Sequence, residues 1–439
     1  MSPKEKMNRR EFIKKSVGAA ACAAAFPAFI PSKVLGRNGS VPPSEKITMG
    51  FIGVGGMGTG NLRGFIGKPD VQVVAVCDVD TEHRNRARDI VNSRYGNKDC
   101  ATYNDFRDLL NRDDIDAVCI ATPDHWHALI AVAAARAKKD VYAEKPLAYS
   151  IAEGRAIVDA VHRYNIVWQT GSQQRSGRNF RFACELVRNG RIGEVKVVRV
   201  GLPYGNSIRK ASTKPAPVPR GFDYDMWLGP APWAPYCPAR CHWNFRWISD
   251  YSQGQLTDWA GHHIDIAHWG MNTELSAPIE VFDARADYPK AEDGLFDTPP
   301  SYRFVCKYKE GFTMVVSDTR QHPIGRGVLF EGSEGWIFVS RSGMKANPES
   351  LLKSKIGPNE IHLYESNDHR QNFLDCVRTR KKTVAPVDVA HHSIMVAHIG
   401  AIAMKLGRNL RWDNKKERFI DDPEANRLLS RPMRSPWKI

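Results

Sequence analysis

The sequence predicts a doubly wound parallel α/β sheet followed by an α+β domain built on a large, mostly antiparallel sheet. Three observations predict it. Short apolar, β-branched runs alternate with helical stretches from residue 47 to about residue 170. A glycine-rich turn follows the first of those runs. Beyond residue 170 the pattern changes to successive strand-like runs joined by turn signals such as Lys309-Glu310-Gly311 and Gly332-Ser333-Glu334-Gly335.

The N-terminus reads as a targeting segment. Asn8-Arg9-Arg10-Glu11-Phe12-Ile13-Lys14 resembles the twin-arginine export motif, and an alanine-rich apolar stretch runs from Val17 to Ile30. It is short for a membrane span and is broken by Pro27 and Pro31. Residues 1–45 are therefore set aside as signal and linker. No other stretch is expected to cross a membrane, and the mature protein is expected in the periplasm.

The first domain is expected over residues 46–170. Ile47–Ile52 reads as a buried strand, 53–60 as the glycine turn and 61–66 as a helix start. Strands are expected at 71–77, 117–121, 141–143 and 166–169, and helices at 82–94, 126–137 and 151–164. Residues 171–410 form the expected second domain. Its strands are placed at 195–201, 279–286, 301–308, 313–317, 328–332 and 335–339, and its helices at 367–379 and 391–406. Residues 203–250 are a proline- and tryptophan-rich insertion, and insertions that long are usually functional or pack as lids. The tail, 411–439, is polar and is expected to lie over the surface.

Composition narrows the class. Over 439 residues, 42% are hydrophobic and 25% charged, the balance of a globular chain with room for a cleft between domains. The net charge of +15 is spread along the chain, without zinc-finger spacing, a basic heptad helix or an RNA-binding aromatic signature, so nucleic acid is not expected as a partner. The nine cysteines show no disulfide framework. Cys237 and Cys241 lack a second Cys/His pair at ligand spacing, and His262 and His263 stand off the i, i+4 spacing with His268, so no metal is expected.

The glycine turn carries chemistry. In Gly53-Val54-Gly55-Gly56-Met57-Gly58 the first glycine permits a tight turn, the second lets the backbone approach a pyrophosphate, and the last lets helix and strand pack closely. The helix N-terminus then offers free N–H groups to phosphate. Asp78 ends the next strand, where a carboxylate accepts bonds from ribose hydroxyls and repels a 2′-phosphate. The expected cofactor is NAD rather than NADP.

Three more segments complete the picture. They are Ala121-Thr122-Pro123-Asp124-His125-Trp126-His127-Ala128, Ala143-Glu144-Lys145-Pro146-Leu147, and Gly254 through Asp265 with Asp258, His262 and His263. Together with the glycine turn they resemble the glucose-fructose oxidoreductase, inositol dehydrogenase and rhizopine-catabolism (Gfo/Idh/MocA) family, from Ile47 to the end. The signal and the Trp412-Asp413-Asn414-Lys415-Lys416 tail resemble an exported subgroup.

The resemblance implies a Rossmann domain, a homodimer or homotetramer, and hydride transfer at a carbohydrate hydroxyl. It also implies a cis bond before Pro146, with Thr122, Pro123, His127 and Glu144 on the cofactor edge. Asp124, His125 and Trp126 are expected near the nicotinamide ribose. Lys145 would hydrogen-bond the substrate hydroxyl and stabilise a developing alkoxide. Asp258 and His262, four residues apart on one helical face, would reach the sugar, with His262 as proton acceptor. His263 and Asp265 flank that face and are rivals for the role, and Ala260, followed by Gly261, stands where the family usually has glycine, which leaves the choice between His262 and His263 open. Gln173, Arg175 and Trp243 are expected to face substrate.

The leading expectation is an NAD-dependent oxidoreductase acting on a sugar or glycoside, with its cofactor retained and recycled. A redox-assisted glycosidase ranks second, since no Thr-His-Gly-type segment is present. A non-catalytic NAD-containing sugar-binding protein is the third.

Overall fold

The computed structural model describes residues 42–290 and 294–439. The twin-arginine motif and the apolar stretch to Ile30 lie outside the described residues.

The first domain is a six-stranded, wholly parallel sheet of order β3-β2-β1-β4-β5-β6. Its strands are β1 (Ile47–Ile52), β2 (Val71–Cys77), β3 (Ala101–Tyr103), β4 (Ala117–Ile120), β5 (Asp140–Ala143) and β6 (Trp168–Thr170). Helices α1 (Gly56–Ile66), α2 (Thr81–Tyr95), α3 (Phe106–Leu110), α4 (His127–Arg136) and α5 (Ile151–Tyr164) connect them. All four residues of β4 and of β5 are buried, as expected of strands covered on both faces. The strand order reverses between β1 and β4, so the crevice at their C-terminal ends is where this topology binds ligands.

The second domain carries a nine-stranded sheet of order β13-β12-β11-β7-β10-β9-β8-β14-β15. It holds β7 (Val195–Leu202), β8 (Glu280–Asp287), β9 (Ser301–Lys307), β10 (Thr313–Asp318), β11 (Gly327–Gly332), β12 (Gly335–Ser340), β13 (Gly343–Asn347), β14 (Leu410–Asp413) and β15 (Arg418–Phe419). One pair, β7 with β10, is parallel; the other paired strands run antiparallel. Helices α6 (Arg178–Arg188), α8 (Gly254–Met271) and α10 (Val387–Leu406) pack against this sheet and one another, with α7 (Tyr224–Leu228) inside the insertion and α9 (His369–Thr379) and α11 (Pro423–Arg427) nearer the end.

One expectation is refined and one changes. The tail, 411–439, is mostly exposed or half-buried but anchored: Trp412 and Phe419 are 2% and 1% exposed and pair across β14 and β15, because each places an aromatic ring on the covered face of the sheet. Helix α10 is long and apolar enough by composition to cross a membrane, contrary to the expectation that nothing past the signal would be; it is instead a core helix, packed on α8, β8 and α5.

Candidate active site

The glycine turn has the geometry its sequence implies. Gly53 takes φ +79°, and a Cβ there would meet Ala121 backbone at 2.8 Å. A Cβ on Gly58 would lie 1.9 Å from the Gly53 carbonyl oxygen, so α1 can start against β1 only with glycine. Gly55 is the N-cap of α1 and supplies no side-chain cap, which leaves the first N–H groups of the helix open. A Cβ on Gly56 would meet nothing within 4 Å, and Met57 is exposed.

Asp78 follows β2, beside this turn. Its Oδ2 accepts from Val54 N at 2.8 Å and its Oδ1 from Asp80 N at 2.9 Å, so the carboxylate is fixed by backbone donors. A cavity of about 520 Å³ runs from this carboxylate past Gly53, Gly55, Gly56 and Met57 to Thr122, Pro123, Glu144, Lys145 and Asp258. Thr122 Oγ1 and Glu144 Oε2 are buried atoms without a hydrogen-bond partner among the described residues. An open helix N-terminus, a fixed carboxylate and unpaired polar atoms along one cleft fit a dinucleotide.

At the inner end of the cleft Lys145 of the first domain meets Asp258 of the second. Lys145 Nζ donates to Asp258 Oδ1 at 2.7 Å and to the Asp258 carbonyl oxygen at 2.9 Å. Arg246 Nε stands 3.5 Å from the same Oδ1. Burial pushes the Asp258 carboxyl up, but Lys145 and Arg246 outweigh it and hold it below the usual range, so it stays ionised.

Lys145 is held from below. The Lys145–Pro146 bond is cis. His127 spans the carbonyl oxygens of Pro146 (Nδ1, 2.7 Å) and Thr122 (Nε2, 2.9 Å), tying the β5 and β4 ends together. Glu144 Oε1 accepts from Asn61 Nδ2 of α1 at 2.9 Å and from Gln173 Nε2 at 3.3 Å. His127, Glu144 and Gln173 thus act as positioning residues, and neither His127 nor Gln173 lines the cavity.

His262 lies one helical turn beyond Asp258. It is 4% exposed and does not itself line the cavity, its Nδ1 has no hydrogen-bond partner among the described residues, and its ring stands edge-on to Trp259 at 5.7 Å. Burial first, and then the Lys145 ammonium, hold its pKa well below the imidazole range. It is therefore neutral and able to accept a proton, though a weak base.

Four sequence-based expectations move. Arg175 does not face the cavity: it is 3% exposed and clamps Asp265 through Nε at 2.7 Å and Nη2 at 2.8 Å, with Glu274 at 2.9 Å. Asp265 is consumed by that buried pair and is no rival base. His263 is 1% exposed and bonded through Nδ1 to the Gly201 carbonyl oxygen at 3.0 Å, which points it toward β7 and away from Lys145. His125 and Trp126 both bond the Trp227 carbonyl oxygen, at 2.9 and 3.0 Å, so they anchor the insertion; His125 is fully buried and does not line the cleft. Trp243 does line it, with the Arg209 and Arg246 guanidinium groups 4.2 and 4.7 Å from its ring centroid. Sequence reading passed over His83 and Asp80 as site residues, although they stand five and two positions after Asp78; both line the cleft.

Residues 47–172 match the model of the oxidoreductase family's NAD-binding Rossmann fold, and residues 200–439 match the model of its C-terminal alpha/beta domain. The chain belongs to the Gfo/Idh/MocA oxidoreductase family. Curated relatives include a glycosyl hydrolase family 109 protein of Shewanella pealeana, 32% identical over 207 residues, covering 43% of this chain and 44% of that protein. The chain thus spans less than half the length of the first curated relatives it matches. The myo-inositol 2-dehydrogenase of Thermotoga maritima is 26% identical over 339 residues, covering 76% of this chain and 87% of the relative. Among solved structures, the WlbA dehydrogenase of Bordetella pertussis in complex with NADH and UDP-GlcNAcA superposes with a TM-score of 0.60 at 15% identity, over 84% of this chain and 99% of that one; this similarity is one of fold. As in other Gfo/Idh/MocA proteins, the first domain is an NAD-binding Rossmann fold, and the cleft just described runs along its switch point.

Proposed function

We propose that this Gfo/Idh/MocA protein oxidises a secondary hydroxyl of a sugar or glycoside and keeps its NAD through turnover. The observation that carries this is the Lys145–Asp258 contact, which closes the inner end of the cleft that begins at the glycine turn. Bound NAD supplies the hydride acceptor; the chain supplies the rest. A lysine ammonium has three donors. Two are spent on Asp258, and the third is left for a substrate oxygen, where its charge favours the developing alkoxide. Asp258 keeps that ammonium aimed and is itself held ionised by Lys145 and Arg246. His262, neutral and one turn away, receives the hydroxyl proton. Arg246, stacked on Trp243 and beside Asp258, adds guanidinium donors for sugar hydroxyls.

The twin-arginine motif supports a periplasmic site of action, where free NAD is scarce and a second sugar or keto-sugar would recycle the cofactor. The same reading takes the protein as a homodimer or homotetramer, as the family resemblance implies. Similarity to family 109 glycosyl hydrolases favours a second reading: oxidation at C3 acidifies the C2 proton, the aglycone leaves by elimination, water adds, and the C3 ketone is reduced back. One experiment separates the two. The purified protein is denatured and its nucleotide identified; the intact protein is then mixed with methyl and phenyl glycosides. A rise in NADH absorbance with a keto-sugar product supports the dehydrogenase. Net hydrolysis without net redox supports the glycosidase, and neither product refutes both.

A further inference from the structure

Insertion 203–250 is fastened to the very turn that carries Asp78. Thr81 N donates to the Gly221 carbonyl oxygen at 2.9 Å, Asp223 N donates to that of Val79 at 3.0 Å, and Asp80 and Phe222 form an antiparallel bridge between them. Asn104 Nδ2, beyond β3, adds a bond to Asp223 Oδ2 at 2.8 Å. The insertion thereby becomes the wall of the cleft opposite the glycine turn, through Phe222, Trp227, His242, Phe245 and Arg209.

His242 is the most telling of these. It is a non-glycine residue at φ +57°, a conformation that costs energy and collects at functional sites. Its ring stands 5.1 Å from that of His83 and 5.5 Å from that of Phe222. His83 in turn lies over Gly55, where a Cβ would be 3.6 Å from its ring. Polar atoms of Asp80, His83 and His242 lie within 4.8 Å of one another, beside Asp78. Donors and acceptors grouped this way suit a vicinal ribose diol. Arg209 enters no ion pair among the described residues and stacks on Trp243 in the same wall, which suits a phosphate.

The wall is fixed from outside as well. Arg434 of the tail donates to the Gly229 and Asp225 carbonyl oxygens at 2.9 and 2.8 Å, and the Trp437 ring stands edge-on to Trp126, 4.7 Å away. These contacts hold the insertion from the side away from the cleft.

We propose that the insertion is a second half of the dinucleotide site, with His242 bonding the adenosine ribose beside Asp78 and Arg209 bonding the pyrophosphate. The test measures release of bound NADH by fluorescence after mixing with excess NAD, together with the nucleotide retained through gel filtration. His242→Ala and Arg209→Ala should each raise the release rate about tenfold, the effect of one lost polar contact. Arg434→Ala, which touches no cleft residue, should also raise it, and so serves if a cleft variant folds poorly. Release at the wild-type rate from all three folded variants overturns the proposal while NAD binding stands. A wild-type protein that holds no NAD overturns both, and the two failures are thus distinct.

Discussion

Lys145 and Asp258 lie 113 residues apart in the chain and 2.7 Å apart in space, and their contact joins the end of β5 to the start of α8. The pair sets the position of the ammonium before substrate arrives. A charge-assisted bond of this kind contributes about 1.5–3 kcal/mol.

Asp258→Asn should therefore lower kcat by roughly 10- to 150-fold, the range that such a bond's loss implies. The backbone bond from Nζ to the residue 258 carbonyl would remain, so nucleotide content should not change. Steady-state kinetics with matched nucleotide analysis checks this; an unchanged kcat would take Asp258 out of the mechanism.

Asp265→Asn should act on stability and not on substrate affinity. Arg175 would lose its bidentate partner but keep Glu274, a loss of about 3 kcal/mol, the low end for a broken buried pair. Urea unfolding should show a lower midpoint, while KM of the folded fraction stays near wild type. A raised KM with an unchanged midpoint would return Arg175 and Asp265 to the substrate site.

Acid should weaken the fold early. Burial drives His125, His263 and His268 down to about 3, and His369 and His398 to about 4. Below the ordinary imidazole pKa the unfolded chain takes up protons that the folded chain refuses. Each such histidine then removes up to about 1.4 kcal/mol per pH unit, until the folded pKa is reached. Their stabilisation is complete above pH 6.5 and is lost as pH falls toward 4. The melting temperature should drop steeply between pH 6.5 and 4.5, and a flat profile over that window would contradict the buried neutral histidines.

Much of this architecture is legible in the sequence, for physical reasons. Buried parallel strands such as Ala117–Ile120 are continuous apolar runs, and the glycine turn is forced by steric contacts that no other residue satisfies. Helix α6 escaped because its apolar stripe, Phe180, Ala183, Cys184 and Val187, is interleaved with arginines. Strand β13, Gly-Met-Lys-Ala-Asn, is a short edge strand whose alternation rests on two apolar residues, Met344 and Ala346, too few to single it out. The roles of Arg175, His125 and His263 depend on partners 90, 102 and 62 residues away, and residue type alone could not choose between a buried clamp and a substrate contact. The insertion's aromatic residues were visible, but not that Gly221 and Asp223 attach them to the Asp78 turn.

The central claim is that the Lys145 ammonium acts on a sugar oxygen next to bound NAD. The direct measurement is reduction of the bound nucleotide on adding glycosides, in wild type and in Lys145→Met, with the nucleotide released and quantified from both. The account predicts equal nucleotide content and a reduction rate about 10²–10³-fold lower in the variant. Reduction at the wild-type rate in Lys145→Met would contradict it.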